Sequence, residues 1–434
     1  MSEPSEPSEP AARPRPVYVV CAETPPDVVG GLGRYAERMM AAMRHLGTPV
    51  EVFGATTRNT VPRTERIGDV TLHRVRVPGG GAEGLTRAPA AVLQITRLIG
   101  ILAFNVRVAA RIIRAGARSS GSVVVVHDWM GCVAGILCRL LARTPVVFHV
   151  HSRELNAAPT RRRSAVAAGI AALETAQART ARLIVVPSAG MRDELVACGW
   201  PSDRLRVIPH GFEDPELLRL AALGGDERDR LRAEVRRRHL PGGEGRLVVF
   251  AGRLSPHKGV RTLIRAAPLV AGEHDDVRIV LIGAQSPRTG ENAEVARLID
   301  ETGVGRHVVA GYRFLGSAEV FAHFLAADVC VFPSTYEPFG LVAIEAMALA
   351  RPVVVGPGYS PEVVGDGAVR CGNDSPRELA DALLRCLDDP RAASRLGERG
   401  AAHVRERYTW ARTAELTLAA YAELAPAAYA EPAR

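Results

Sequence analysis

The segment "RLVVFAGRLSPHKGVRTLIRAAPLV", Arg246 to Val270, places a loop with two cations between a short apolar run and a helical pattern. The run at 246–252 has the length and branched side chains of a buried strand. A buried strand followed directly by a helix is the repeating unit of a parallel α/β sheet. The segment therefore predicts such a unit, with the cations at its strand end.

The same unit recurs on both sides of this segment. The apolar runs that we predict as strands are 16–22, 49–55, 122–128, 145–151 and 182–188, then 246–252, 278–283, 307–312, 328–334 and 352–356. A chain of 434 residues is long enough for two domains. We expect an α/β fold of two doubly wound, Rossmann-like domains that face each other across a cleft. The predicted domains are 16–210 and 246–407, with 211–245 as a linker region.

Composition narrows the class of partner. The net charge of +8 permits an anionic ligand, a nucleic acid or an acidic membrane surface. The densest arginine runs, at 160–164 and 232–239, lack the interleaved aromatic residues that stack on bases. We therefore expect no nucleic-acid partner.

Cysteine usage and the first residues indicate the compartment. The seven cysteines are scattered and contain no C-x-x-C pair, so neither a disulfide framework nor a zinc site is expected. Residues 1–15 repeat Ser-Glu-Pro and lack an apolar segment, which predicts a disordered leader and no signal peptide. A cytoplasmic location follows as an expectation.

A long helical pattern from Ala88 to Ala115 has two interpretations. Its apolar run is flanked or interrupted by Arg97, Arg107, Arg111 and Arg114. A basic amphipathic helix could make weak peripheral contact with an anionic membrane. A helix that covers one face of a sheet is the interpretation that we favour.

The carboxyl ends of the predicted strands are where such sheets bind ligands. After the first strand, Gly31, Gly33 and Ala36 satisfy G-x-G-x-x-A, which makes an NAD-dependent oxidoreductase one alternative. However, eight residues separate Ala22 from Gly31, and Glu51 begins the second strand instead of ending it. The glycines still predict close approach to a phosphate beside a helix N-terminus.

Arg253 and Lys258 lie in the loop after the strand 246–252, just before a helix. Two cations in that position favour a polyanion, most simply a diphosphate. Lys258 is the only lysine among the 55 basic residues, so all others are arginine. We interpret its retention as a need for a compact ammonium, which a planar guanidinium does not imitate.

Two glutamates follow the strand at 328–334, in the stretch "STYEPFGLVAIEAM". Glu337 falls in a loop, and Pro338-Phe339-Gly340 then opens a helix that carries Glu345 in about its second turn. The N–H groups of Phe339 to Leu341 would face anionic or hydroxyl oxygens. One carboxylate could bind sugar hydroxyls and the other a ribose.

Three histidines follow or end strands of the first half. We interpret His149, inside an apolar run, as a core residue. His151 is predicted at the end of the same strand, and His127 with Asp128 at the end of another. His127 and Asp128 are candidate residues on the acceptor side.

Four motifs together resemble a known family. They are "GRLSPHKG", "EPFGLVAIEAMALARPVV", "VIPHGFE" and "VVGGLGRYAERM", and they resemble the retaining sugar-nucleotide glycosyltransferases of family 4. These share the two-domain GT-B fold with glycogen and sucrose synthases. The resemblance covers about residues 16 to 425, and it implies that the final helix, 408–425, packs back on the first domain.

The resemblance also implies roles for the residues. Arg253 and Lys258 would hold the donor diphosphate, Glu337 would touch the transferred sugar, and Glu345 would bind the ribose. Gly30 and Gly31 would approach the diphosphate from the first domain, and His151 would lie next to the sugar. The stretch "HDWMGCVAG" resembles a segment of glycogen and starch synthases, although Met130 replaces its second histidine.

The implied activity is the retaining transfer of a hexose-type sugar from a nucleotide diphosphate sugar to an acceptor hydroxyl. UDP is the expected nucleotide, with GDP or ADP as alternatives, and the acceptor would be a small metabolite, as in natural-product biosynthesis, or an α-glucan. No D-x-D triplet occurs in the sequence, so we expect no metal and no cofactor. A phosphorylase that binds pyridoxal phosphate through Lys258 is a further alternative.

Overall fold

The computed structural model describes residues 16–26, 31–43, 48–77, 90–116, 122–153, 165–283, 289–311 and 315–424. The predicted leader, 1–15, lies outside them. The chain forms two compact units. The first contains the described residues up to His149, Ala172–Ile184 and those from Ala414 onward, and the second contains Val150–Ala171 and Val185–Thr413. Among the described helices, none is long and apolar enough to cross a bilayer.

The first sheet is built from eight described strands. They are β1 Val17–Val20, β2 Val50–Thr56, β3 Thr64–Ile67, β4 Val70–Arg76, β5 Val123–His127, β6 Val146–His149, β7 Leu183–Val186 and β8 Leu205–Val207. Their order in the sheet is β3-β4-β2-β1-β5-β6-β7-β8. The pairs from β4 to β6 are parallel, and β3 pairs antiparallel with β4.

Helices alternate with these strands, as the sequence predicts. They are α1 Gly31–Met43, α2 Ala90–Arg114, α3 Cys132–Ala142, α4 Ala165–Thr180 and α5 Ala189–Ala197. Every residue of β1, β5 and β6 is buried. Continuous apolar strands of this kind are expected where helices cover both faces of a parallel sheet.

The second sheet holds six described strands and decides where a ligand can bind. They are β9 Arg246–Ala251, β10 Val277–Ile282, β11 Val308–Gly311, β12 Val329–Phe332, β13 Val353–Val355 and β14 Val369–Arg370. All their pairs are parallel, in the order β11-β10-β9-β12-β13-β14. The strand order reverses between β9 and β12, and a crevice forms at the carboxyl ends of such a pair.

The remaining helices belong mainly to the second half of the chain. They are α6 Pro215–Ala221, α7 Gly225–His239, α8 Val260–Glu273, α9 Thr289–Glu301, α10 Ser317–Ala326, α11 Leu341–Ala348, α12 Pro361–Val364, α13 Pro376–Asp388, α14 Pro390–Arg407 and α15 Trp410–Ala422. Leu247 and Val249 of β9 face one apolar core, and Val248 and Phe250 face another on the other side of the sheet. This alternation follows from the two-residue period of a strand.

The stretch 211–245, predicted as a linker region, is folded. Its helices α6 and α7 bury Leu217, Leu220 and Val235 in the core that also contains Leu247 of β9. The polar surface of α7 hides this from the sequence, because Val235 is its only buried residue. The segment is therefore part of the second unit.

All ten predicted strands are present, with ends shifted by at most two residues. Strands β3, β4, β8 and β14 have no counterpart among the predicted runs. Strand β4 escapes prediction because it buries two polar side chains, each with a partner: Arg74 pairs with Glu65 at 2.7 Å, and His73 lies 3.2 Å from Glu51. Such a strand lacks the continuous apolar pattern of its neighbours.

The predicted helix at 88–115 is α2. It buries Phe104, Val108 and Ile112 on one side. An apolar stripe on another side is about half exposed and consists of Ile95, Ile99, Leu102 and Val106. The helix therefore does pack on its neighbours, and membrane contact through the stripe stays a prediction.

Replacing Phe324 with alanine tests the packing of the second unit. The ring is fully buried and meets Phe332 of β12 edge-on, with 5.8 Å between ring centroids. Loss of a buried aromatic ring leaves a cavity and costs about 3–5 kcal/mol of unfolding free energy. Urea unfolding followed by circular dichroism should show this loss in the transition of the second unit. Leu218→Ala, at a half-exposed position, should change the free energy of unfolding little.

Candidate active site

The loops that follow β9 and β12 pack directly on each other. The Thr335 N–H donates to the carbonyl of His257 over 2.9 Å. Gly259 adopts a left-handed φ of 71°, and a Cβ there would lie 1.9 Å from the carbonyl oxygen of Pro333. Only glycine allows this approach. The reversal of strand order thus brings two distant sequence motifs together.

Lys258 and Glu337 form an ion pair at this junction. The ammonium Nζ lies 2.6 Å from Glu337 Oε2, and the side chains are 17% and 9% exposed. The Ser334 hydroxyl donates to the same carboxylate oxygen over 3.2 Å. The carboxylate therefore fixes the position of the only lysine in the chain.

Arg253, the second predicted cation, is exposed. Within the described part of the chain, no carboxylate lies within ion-pair distance of its guanidinium. It follows β9 by two residues and precedes Lys258 by five. One cation of this loop is therefore held in place, and the other is available to a ligand.

Helix α11 begins at the same junction. Gly340 precedes it with a φ of 91°, and a Cβ there would lie 2.2 Å from the ring of Tyr359. Phe339 is buried, and the backbone N–H of Leu341 belongs to the first turn. Glu345 is 5% exposed and lies in the second turn, as its spacing predicts. The helix thus begins directly at the end of the loop that carries Glu337.

Tyr359 is a buried neighbour that the sequence does not single out. Burial is the first cause that raises the pKa of its hydroxyl well above the ordinary value, and the charge of Glu337 is the second. The hydroxyl therefore stays protonated at neutral pH. Its ring also fixes the conformation at Gly340.

His151 lies beyond its strand instead of ending it, because β6 stops at His149. Its Nδ1 lies 3.2 Å from Nε2 of His210, and the His210 ring packs on Phe339 with 5.0 Å between centroids. The N–H of Arg153 donates to the Tyr336 hydroxyl over 3.2 Å. These contacts connect His151 to the loop that carries Glu337.

Burial lowers the pKa of His151 to about 3, so the ring is neutral at physiological pH. A neutral imidazole can donate or accept a hydrogen bond but adds no charge. His210 is the partner that sequence reasoning did not assign a role. It lies three residues beyond the end of β8, a strand that has no counterpart among the predicted runs, so the strand-end rule did not reach it.

The other described site residues predicted in the first half lie in the first unit. Gly31 begins α1, so Gly33 lies within its first turn, unlike the strand-to-helix turn of an NAD fingerprint. A Cβ at Gly31 would meet nothing within 4 Å. Gly30 lies outside the described residues. The approach of these glycines to a diphosphate stays a prediction.

His127 and Asp128 lie at the end of β5. His127 is buried and packs 4.7 Å from His149, and Asp128 has an unusual left-handed φ of 52°. His149 is 2% exposed and shares a 2.7 Å hydrogen bond with the Tyr421 hydroxyl, which confirms its place in the core. The acceptor-side role of His127 and Asp128 stays a prediction.

The second unit thus gathers groups suited to an anionic, hydroxylated ligand. Arg253 and Lys258 supply positive charge, and the amino end of α11 supplies backbone donors with a positive dipole. Glu337 and Glu345 supply hydrogen-bond acceptors. No single residue defines this chemistry, but the arrangement fits a phosphorylated sugar compound better than an apolar ligand.

Comparison with known proteins agrees with this arrangement. Residues 30–211 match the family model described as Glycosyl transferase 4-like domain, and residues 245–389 match Glycosyl transferases group 1. The chain is 30% identical over 423 residues to the alpha-maltose-1-phosphate synthase of Mycolicibacterium smegmatis, covering 93% of this chain and 97% of that protein.

Two solved structures are similar across nearly the whole chain. Sucrose-phosphate synthase from Thermosynechococcus elongatus has a TM-score of 0.69 and 24% identity, covering 94% of this chain and 99% of that one. HepE of Anabaena, in complex with UDP and glucose, has a TM-score of 0.65 and 17% identity, covering 94% and 98%. The chain belongs to the group 1, family-4-like glycosyltransferases, with the GT-B fold.

Replacing Gly340 with alanine tests the geometry at the start of α11. A left-handed alanine costs about 1–2 kcal/mol, and displacement of the Tyr359 ring adds about 1–3 kcal/mol. The matched control is Gly303→Ala, because Gly303 has a φ of 67° but no atom within 4 Å of the added Cβ. Thermal unfolding should show the larger loss for Gly340→Ala, and equal losses would contradict the packing described.

Proposed function

We propose that the protein is a retaining, metal-independent glycosyltransferase that moves a hexose-type sugar from a nucleotide diphosphate sugar to an acceptor hydroxyl. The observation that carries the proposal is the Lys258–Glu337 ion pair, placed where the strand order of the second sheet reverses. Membership in the glycosyltransferase family supports the reaction class.

The donor diphosphate would bind between the two cations of the 252–259 loop and the amino end of α11. Lys258 would hold one phosphate while it keeps its contact with Glu337. Arg253, which is exposed, would close on the other phosphate. Glu337 would accept a hydrogen bond from a sugar hydroxyl, and Glu345 one from the ribose.

Transfer would break the bond between the sugar C1 and the diphosphate oxygen, and the electron pair would leave with the diphosphate. The acceptor oxygen would bond to C1 on the same face, and its proton would pass to the departing phosphate oxygen. Lys258 and Arg253 would stabilise the charge that grows there. Electrostatic stabilisation of this kind commonly contributes the largest share of catalysis.

The partners follow from the relatives at a coarser level. The HepE structure holds UDP and glucose, which supports UDP as the first nucleotide to test. The names of the other two relatives describe synthases of phosphorylated sugars. A small hydroxylated acceptor is therefore our first choice, with an α-glucan second.

Replacing Lys258 tests the leaving-group role. Lys258→Ala should lower kcat about a hundredfold or more, because one charge that stabilises the departing diphosphate is lost. Lys258→Arg should also lose activity, since a planar guanidinium does not fit between Glu337 and a phosphate as an ammonium does. Steady-state kinetics with a UDP-sugar, after thermal unfolding shows a folded variant, gives the measurement.

Arg261→Lys is the matched control for the exchange of cations. Arg261 lies on α8, three residues from Lys258, and its half-exposed guanidinium pairs with Glu294. This variant should keep its turnover. Near-full activity of Lys258→Ala would rule out the proposed role.

Metal independence and retention of configuration can be tested in a single reaction. Proton NMR in the presence of EDTA should show unchanged turnover and a product whose anomeric configuration equals that of the donor. The physical reason is that two side-chain cations, not a metal ion, neutralise the diphosphate. Complete loss of activity would contradict metal independence, and an inverted product would contradict retention.

A further inference from the structure

A cavity lies at the amino ends of the strands of the second sheet, opposite the carboxyl ends that carry the candidate active site. It is a half-open pocket of about 410 Å³. Its wall includes residues at or just before the amino ends of four strands: Arg246, Asp276, Asp328 and Pro352. The candidate active site lies at the carboxyl ends, so the two sites are separate.

Two arginines of the cavity wall lack a carboxylate partner among the described residues. They are Arg232 on α7 and Arg351, which follows α11. The carboxylates of the wall bind other groups: Asp276 binds Arg246 at 2.8 Å through both oxygens, and Asp328 binds Arg236 at 2.9 Å. The wall therefore carries three arginines against two aspartates, and the charge of Asp328 offsets only part of that of Arg351.

The environment of Arg351 shows the same imbalance. Burial, followed by the charges of Arg232 and Arg228, lowers the pKa of its guanidinium to about 10. The group stays charged at neutral pH, but it sits in a less favourable setting than an arginine in water. An anion in the cavity would relieve the repulsion among these cations.

Several arginines near the cavity stabilise the end of helix α11, but this role uses only some of their hydrogen-bond donors. Arg228 and Arg351 each donate to the carbonyl of Leu349 over 3.3 Å, and Arg405 donates to that of Ala348 over 3.4 Å. These bonds cap the carboxyl end of α11, where cations are favourable. However, each uses one of five guanidinium donors, and the Arg232 side chain makes no hydrogen bond or ion pair with any described residue.

We propose that this cavity, defined by Arg232 and Arg351, binds a phosphate monoester of sugar size. A phosphate monoester carries nearly two negative charges at neutral pH and three acceptor oxygens, which suits two adjacent guanidinium groups. The volume lies in the range of small-molecule sites. The Ser394 hydroxyl and the two aspartates could meet the hydroxyl groups of the sugar.

Calorimetric titration of the full-length protein with glucose 6-phosphate, inorganic phosphate and glucose tests the proposal. Glucose 6-phosphate should bind saturably, inorganic phosphate more weakly, and glucose not detectably. Arg232→Gln should weaken the binding of glucose 6-phosphate by about tenfold or more, because a charge-assisted contact is lost. Because the Arg232 side chain makes no hydrogen bond or ion pair with a described residue, this variant should unfold close to the wild-type temperature.

Two controls separate this site from other sources of binding. Arg219→Gln makes the same charge change at an exposed position on α6 and should leave affinity unchanged. Lys258→Ala should leave the Arg232-dependent binding unchanged, even though the candidate active site could itself hold a phosphorylated sugar. Wild-type affinity in Arg232→Gln, or loss of binding in Lys258→Ala alone, would overturn the proposal, whether or not the protein proves to transfer sugars.

Discussion

The 2.6 Å contact between Lys258 and Glu337 joins two loops that are 79 residues apart in the sequence. It forms because β9 and β12 are neighbours in the sheet, so that their carboxyl ends meet. The contact also needs Gly259, since any side chain there would push the loops apart. A partly buried ion pair costs desolvation, which is offset only by good geometry. The pair, together with the Thr335 N–H to His257 hydrogen bond, therefore sets the relative position of the two loops.

Apolar strand patterns were sufficient to predict the architecture. Each buried parallel strand reads as a continuous run of branched residues, so all ten predicted strands exist. The pattern fails where a strand satisfies polar side chains through partners, as Arg74 does with Glu65. It fails again in 211–245, because the few buried residues of two polar helices do not stand out. Pairings between distant side chains leave no trace in local periodicity.

The site residues of the second half could be predicted from the sequence for a different reason. Residues at strand ends can be inferred to cluster once a parallel sheet is assumed, which brings Arg253, Lys258, Glu337 and Glu345 to one edge. That rule does not single out Tyr359 or His210. Tyr359 matters through contact with Gly340, and His210 through its contact with His151. Such supporting residues become visible only when the packing is known.

The composition of the chain makes Lys258 selectively addressable by chemical labelling. Because every other basic side chain is arginine, an amine-selective reagent can modify only this side chain and the terminal amine. Labelling of Lys258 would therefore report occupancy of the loop without any engineered tag or removal of competing lysines. A bound diphosphate should shield the amine, so the rate of its acylation becomes a direct signal of ligand binding at this site.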